Sequence, residues 1–311
     1  MSDDDGTCEY VLDPDDPETW DGEERDECYV EEEVLNEDGI WTCPHYIEDG
    51  EDLCIFHMPV EKKDDEKVVD AFLEVVDNST DFDSDPQKRK PQFLGAKFGS
   101  LELGEEIKSI VVDPRLSCAK FEKSTDWSGI KFEDNVFFSG AKFEQEADFS
   151  NSMFKAVAQF ISVEFNKGAD FKSTDFRENA DFTKADLGFN RLEAESHNYP
   201  EIGDRDIEDI EKYPLELYVE PGFHKTRFVD ADLTGAIFTD ANLRSVNFES
   251  AIMNRVRLFG ADLRIALLYG AVLGNVQIDE ETKFLGDPFV LSLSYPQVSV
   301  PPYRVCAYNS Y

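Results

Sequence analysis

The chain has 311 residues, 41% of them apolar, and a formal net charge of −38. That is enough apolar chain for a large core, yet no stretch approaches the ~18 continuous apolar residues that suggest a membrane span. The start, Met1 to Asp5, lacks a basic and apolar leader, so a soluble cytoplasmic protein is the expectation.

The charge is uneven. Residues 1–90 hold 32 Asp and Glu against 7 Lys and Arg, which leaves 36 against 23 for residues 91–311. Carboxylates spread over an otherwise well-patterned chain fit a halophilic protein, because in a cytoplasm near 1 M salt the Debye length falls to about 3 Å and self-repulsion is screened.

Residues 1–62 form an acidic Cys/His-rich module. Cys8, Cys28, Cys43, Cys54, His45 and His57 fall here, and Cys54 and His57 stand three residues apart, a spacing that zinc knuckles and ribbons use. Zinc takes four soft or borderline ligands in a tetrahedron, and an acidic segment with little core needs a staple. The expected ligands are Cys8, Cys43, Cys54 and His57, with Cys28 and then His45 as substitutes. The gap from Cys8 to Cys43 fits no strict finger pattern, so unrelated buried cysteines stay open; a disulfide is disfavoured in a reducing cytoplasm. Zinc held by four protein ligands would be structural, since no position is left for a catalytic water.

Residues 63–92 read as a capping helix and a linker. Val68, Val69, Phe72, Leu73 and Val76 share one helical face, with Asp64 and Asp65 as candidate N-caps. The following Asp- and Ser-rich run ends in Lys88, Arg89 and Lys90, too short a basic stretch to argue for nucleic acid.

From residue 93 a different order begins. Phe121, Trp127, Phe132, Phe138, Phe143, Phe149, Phe154, Phe160, Phe165, Phe171, Phe176, Phe182 and Leu187 are spaced alternately by six and five. Their true period is eleven, which predicts 22-residue coils over 93–187, with the extra residues stacked as bulges on two opposite faces. Phe93, Phe98 and Leu103 would form an irregular first coil.

An insertion at 188–227 breaks the pattern. It holds His197, His224 and a possible short helix over 206–212; loops that interrupt a rigid scaffold often carry contacts. Neither histidine has a nucleophile or carboxylate at a catalytic spacing.

Residues 228–286 then repeat every five. Phe228, Leu233, Phe238, Leu243, Phe248, Met253, Leu258, Leu263, Leu268, Leu273 and Ile278 run without a slip, and two places before each stands a small or β-branched residue such as Ala231 or Val246. A five-residue period suits neither helix nor flat strand, whose side chains recur near 3.6 and 2.0. A square coil with one such unit per side explains it: the large residue fills the axis and the small one admits the next turn. Arg244 and Arg264, one coil apart, would stack about 5 Å from each other beside Asn242 and Asp262. An ion-pair ladder is expected there, with an anion or partner face as the alternative. Residues 287–311 are a tail rich in Pro, Ser and Tyr.

The units Ala231-Asp-Leu-Thr-Gly, Ala241-Asn-Leu-Arg-Ser and Ala261-Asp-Leu-Arg-Ile resemble those of the pentapeptide-repeat proteins. The resemblance implies an all-β solenoid, a right-handed quadrilateral β-helix. It is strongest with haloarchaeal members that have a Cys/His-rich head ending in Cys-x-x-His, Phe-rich eleven-residue units and a run like Asp279 to Phe284. Some of those continue into a membrane-channel-like domain; the tail here shows no helical period, which puts a role that depends on such a domain in doubt.

Among function classes, a non-catalytic scaffold for an unidentified protein partner fits best. The alternatives are a nucleic-acid mimic, similar to the relatives that occupy the DNA groove of type II topoisomerases, or a soluble remnant of a channel-linked regulator. A mimic needs a continuous acidic stripe, and residues 228–278 hold five acidic and four basic side chains. Direct nucleic-acid binding is not expected, and no catalytic constellation is visible.

Overall fold

The computed structural model describes residues 6–22, 28–48, 50–78, 92–103, 107–111, 114–188, 226–264 and 266–284. Its organising element is a four-sided coil of two-residue parallel strands. On the first face Lys97–Phe98, Lys120–Phe121, Lys142–Phe143 and Glu164–Phe165 lie one above the next. Asp186, Asn242, Asp262 and Lys283 continue that ladder. The second face stacks Leu101–Glu102, Thr125–Asp126, Ala147–Asp148 and Ala169–Asp170, then Arg227, Asn247 and Leu267. The third stacks Ser109–Ile110, Lys131–Phe132, Met153–Phe154 and Asp175–Phe176, then Asp232, Ile252 and Val272. The fourth runs from Gln92 and Arg115 through Phe137, Gln159 and Asp181 to Ile237, Arg257 and Gln277.

Pairing on every face is one residue to one, and this corrects the expected bulges. In the 22-residue coils the extra residue sits at a corner: 122–124, 144–146 and 166–168 join the first face to the second, and 133–135, 155–157 and 177–179 join the third to the fourth. A bulge on a face would offset the parallel register of every coil above it, whereas a corner absorbs a residue locally. The remaining corners turn through a left-handed residue, which recurs every eleven positions at Cys118, Gly129, Gly140, Asn151, Ser162, Ser173 and Lys184. In the later coils it recurs every five, as at Asp230, Gly235, Asp240 and Ser245.

The axis is filled by rings. Phe121 and Phe143 lie 4.4 Å apart at 5°, Phe149 and Phe171 4.9 Å apart at 3°, and Phe160 and Phe182 4.8 Å apart at 4°. Strand spacing in the hydrogen-bonding direction is about 4.8 Å, so the ladder sets the ring spacing. Because flat rings touch at roughly 3.5–4 Å, these parallel pairs must be offset. Across the axis neighbours meet edge to face, as Phe149 and Phe160 do at 87°.

Helix α1, Asp65–Asn78, closes the first end of the axis. Asp64 accepts the Glu66 N–H at 3.0 Å and caps it. Val68, Phe72 and Val76 are buried, and Phe72 packs on Phe93 at 4.7 Å and edge-on to Trp127 at 6.0 Å. This is the face that the sequence period picks out. Among the described residues no helix is long and apolar enough to cross a membrane.

The chain leaves the coil after Gly188 and re-enters at Thr226, with Arg227 laddered against Asp170. The insertion therefore grows from the corner between the first and second faces, the one that already carries the extra residue below. His197, His224, the helix expected over 206–212, the linker with Lys88 to Lys90, and the 287–311 tail lie outside the described residues.

Truncating a fully buried ring should leave a cavity that the rigid ladder cannot collapse. Phe149→Ala is expected to lower the unfolding free energy by about 3–5 kcal/mol, read by urea denaturation in high salt.

Candidate metal centre

The head is built on a short antiparallel ribbon, β1 (Val11–Leu12) with β2 (Trp41–Thr42). Cys8 precedes one strand and donates its N–H to His45 O at 2.9 Å; Cys43 follows the other and donates to Tyr10 O at 3.1 Å. The ribbon thus closes the long gap between the two cysteines. Cys54 and His57 come from a single turn in which the His57 and Met58 N–H groups both donate to Cys54 O at 3.0 Å. The Cys54 N–H reaches the Cys8 sulfur at 3.2 Å, joining turn to ribbon.

Four ligand atoms converge, all within 4.8 Å of one another, on buried residues Cys8, Cys43, Cys54 and His57. Cys43 Sγ and Cys54 Sγ are 3.7 Å apart, and His57 Nδ1 lies 3.3 Å from Cys54 Sγ and 3.7 Å from Cys8 Sγ. A tetrahedral ion with metal–sulfur bonds of about 2.3 Å and metal–nitrogen bonds of about 2.0 Å needs edges of roughly 3.8 and 3.5 Å. The separations of 3.3–3.7 Å are close to those edges, and the cluster could hold a metal ion.

The histidine's tautomer supports the same conclusion. His57 Nε2 lies 2.9 Å from Leu94 O, a carbonyl that can only accept, so Nε2 carries the proton and the Nδ1 lone pair faces the sulfurs. Tyr10 stacks on the imidazole at 3.9 Å and 11°, fixing its plane. Hydrogen bonds from Cys43 and Cys54 hold the Cys8 thiol far below its ordinary range. Bonds to Cys54 and Cys8, together with burial, push Cys43 up. A bond from Cys43 favours the Cys54 thiolate, but its bond to Cys8 and its burial outweigh that and push it up to about 11. One negative charge is thus easily held among three sulfurs; ionising the others calls for a cation.

Lys63 braces the turn from behind. Its Nζ donates to Ile55 O at 2.9 Å, to Phe56 O at 3.0 Å and to Lys97 O. Burial lowers its pKa to about 8.

Two expected substitutes are placed elsewhere. Cys28 is not a ligand: it is disulfide-bonded to Cys118, 90 residues on, with Cα atoms 5.7 Å apart. This also overturns the reading that set disulfides aside. His45 faces the coil, its Nε2 donating to Gln92 O at 2.6 Å and its ring against Phe56 at 4.7 Å and Phe93 at 5.6 Å. Burial pushes its pKa down. Cys118, Lys63, Gln92 and Leu94 escaped the sequence reading. For Leu94 toward His57, and for Gln92 toward His45, the contact is a backbone carbonyl, which leaves no residue-type signal; for Cys118 the signal was its place in the eleven-residue series of corner residues.

The head is bound to the coil at several further points. Arg115, 1% exposed, pairs with Glu31 at 2.6 Å and with Glu33, and its guanidinium lies 4.9 Å over the Phe137 ring. Trp41 Nε1 donates to Gln92 Oε1 at 2.5 Å, and the Lys97 N–H to Phe56 O at 2.8 Å.

On the coil, Arg264 is engaged by its own neighbour. Its Nε lies 2.9 and 3.1 Å from the two Asp262 oxygens, with Nη2 at 2.6 Å, and Asn242 Oδ1 accepts the Arg244 N–H at 3.2 Å. Burial disfavours the Asp262 carboxylate, but the Arg264 bonds outweigh it and hold the pKa below the ordinary 3.8. Arg264 and Asp262 form a local ion pair.

Two outcomes follow. Arg264→Ala should move the Asp262 carboxyl up, toward or past 3.8, in an NMR titration. A folded pKa below the unfolded one means that the pair's contribution is present above about pH 4 and is lost as pH falls through the folded value, so the variant should also flatten the acid limb of the stability profile. Lys63 has the opposite protonation linkage: its unfolded state binds the proton more tightly, so its contribution to stability rises from about pH 8 toward 10.5. Lys63→Met should remove that slope in urea denaturation followed against pH.

Residues 226–264 match the family model for pentapeptide repeats, in eight copies. No curated protein matches the chain. Among solved structures it is similar to HetL, a pentapeptide repeat protein involved in heterocyst differentiation regulation from the cyanobacterium Nostoc sp. strain PCC 7120. That match has 17% identity, covers 61% of this chain and 91% of HetL, and has a TM-score of 0.20. It is also similar to full-length QnrB1, a plasmid-mediated fluoroquinolone resistance protein, at 15% identity over 66% of this chain and 99% of that one, TM-score 0.22. Superpositions this loose bear on neither task nor partner. Residues 226–264, within the five-residue part of the coil, are a pentapeptide-repeat segment.

Proposed function

We propose that this chain is a non-catalytic protein-interaction scaffold, a rigid four-sided coil whose first end is closed by a head stapled with structural zinc. The observation that carries the metal reading is the Leu94 carbonyl, which holds the His57 Nε2 proton and leaves Nδ1 among three cysteine sulfurs. Cys8, Cys43, Cys54 and His57 would hold the ion. Four protein ligands leave no open position for a catalytic water, so the zinc would supply folding energy. The ring-filled axis leaves the outer faces for contact, and a soluble protein of a high-salt cytoplasm is the setting this reading assigns it.

A second reading, nucleic-acid mimicry, draws on one feature of the second face. The ladder stacks Glu102, Asp126, Asp148 and Asp170 in one column, as a mimic of a phosphate chain would require. The next position is Arg227, which pairs with Asp170, so the column ends there.

Elemental analysis of the full chain, purified in high salt without chelators, should find one zinc per molecule, lost in Cys54→Ser and His57→Ala. Chelation should lower the unfolding midpoint by roughly 5–10 °C; metal-free protein with an unchanged midpoint removes the zinc reading. For the two functional readings, Asp126→Lys with Asp148→Lys is compared with wild type. Cross-linking of a protein partner to the coil faces supports the scaffold, whereas DNA-competed inhibition of a type II topoisomerase, lost in the double variant, replaces it with mimicry.

A further inference from the structure

We propose that the Cys28–Cys118 bond is a redox-operated fastener that holds an acidic strap, residues 28–34, on the first level of the coil. The strap is attached differently from the rest of the head. The Cys-x-x-His turn is bound to coil backbone through His57 to Leu94 O and Lys97 N–H to Phe56 O. By contrast, the backbone hydrogen bonds described for the strap stay within it or reach only its next residue, as Val34 N–H to Glu31 O and Leu35 N–H to Glu32 O. Its described covalent and ionic ties to the coil are the disulfide to Cys118 and the pairs from Glu31 and Glu33 to Arg115, beside the buried Val34 side chain. The covalent and ionic ties therefore meet at residues 115–118, a corner of the coil.

Among the described residues three other cysteines are free thiols. Cys43 and Cys54 have sulfurs 3.7 Å apart and are obvious candidates for oxidation. On the zinc reading given above, on which this part of the inference rests, they are committed to the metal as ligands and withdrawn from thiol–disulfide exchange. Among the described residues Cys28 and Cys118 remain as the exchangeable pair. A dithiol reductant breaks their Sγ–Sγ bond, transferring two electrons and two protons; the chain gains two thiols and the reductant leaves as its own disulfide. Glutathione disulfide reverses the step, taking up the two electrons and two protons as two glutathione thiols.

Opening would uncover a defined surface. In the closed form the Arg115 guanidinium lies over the Phe137 ring and its outer nitrogens are occupied by Glu31 and Glu33. The strap's own glutamates act as an intramolecular ligand for that cation. Releasing Cys28 leaves the ion pairs, which high salt weakens, and the burial of Val34.

The test equilibrates the full chain with zinc, in high salt, across glutathione buffers graded from oxidising to reducing. Cys28 and Cys118 are mapped by alkylation and mass spectrometry, zinc is counted, and hydrogen exchange is followed in residues 28–34, 54–58 and 142–165. We expect one reversible two-electron transition. On reduction, exchange in 28–34 should rise at least tenfold, while 54–58 and 142–165 are unchanged and one zinc stays bound. Cys28→Ser should show the open strap even in oxidising buffer, which separates reduction of this bond from any other effect of the reductant. Thiols at 28 and 118 that stay alkylatable in the most oxidising buffer overturn the proposal, as does exchange in 28–34 that does not respond to their reduction. A zinc-free protein whose strap still opens leaves the fastener standing and removes the zinc reading, so the two fail separately.

Discussion

Everything in the coil depends on one spacing, the separation of about 4.8 Å between parallel strands joined by backbone hydrogen bonds. It fixes how far apart the rings along the axis lie, and the observed stacks obey it at 4.4 Å for Phe121 on Phe143 and 4.8 Å for Phe154 on Phe176. It also explains why the small inward residues are small, since Ala147 beneath Ala169 must let the next coil approach. Two coil lengths, 22 residues and then 20, share this ladder because the difference is confined to corners. The insertion obeys the same rule: Asp170 and Arg227 meet as ladder neighbours across the excursion.

At its first end the coil would present Phe93 and Phe98 to water, and an uncovered solenoid end also offers strand edges to other chains. Helix α1 and the head meet both needs together. Phe72 covers the rings, while His45 and His57 cap the carbonyls of Gln92 and Leu94. The candidate metal ligand His57 is thus also a backbone cap. Order in the cluster and order in the first coil are coupled through one imidazole, with a sulfur environment on one nitrogen and a coil carbonyl on the other.

Electrostatics is arranged locally in spite of the net charge of −38. On the outer surface lysines pair with carboxylates one coil away, as Lys142 with Glu164 at 2.9 Å and Lys155 with Glu133 at 2.7 Å. These exposed pairs add little individually. The pairs that organise structure are the buried ones, above all Arg115, where a fully enclosed guanidinium is matched by two head carboxylates and an aromatic face.

By itself the sequence determined the coil, because a five-residue period, and an eleven-residue one before it, can be satisfied only by a chain that turns a corner at each repeat. It determined helix α1 in the same way, from the spacing of Val68, Phe72 and Val76, and it pointed to Cys54 and His57 as a pair because one turn holds both. What it could not express was distance between segments. Only the tertiary structure decided that an antiparallel ribbon sets Cys8 beside Cys43, that Cys28 finds Cys118 rather than the thiol cluster, and that His45 turns to Gln92. The physical reason is that repeats encode themselves through local periodicity, whereas a cluster, a disulfide or a cap on a carbonyl is formed between residues tens of positions apart, by a fold that no local spacing records.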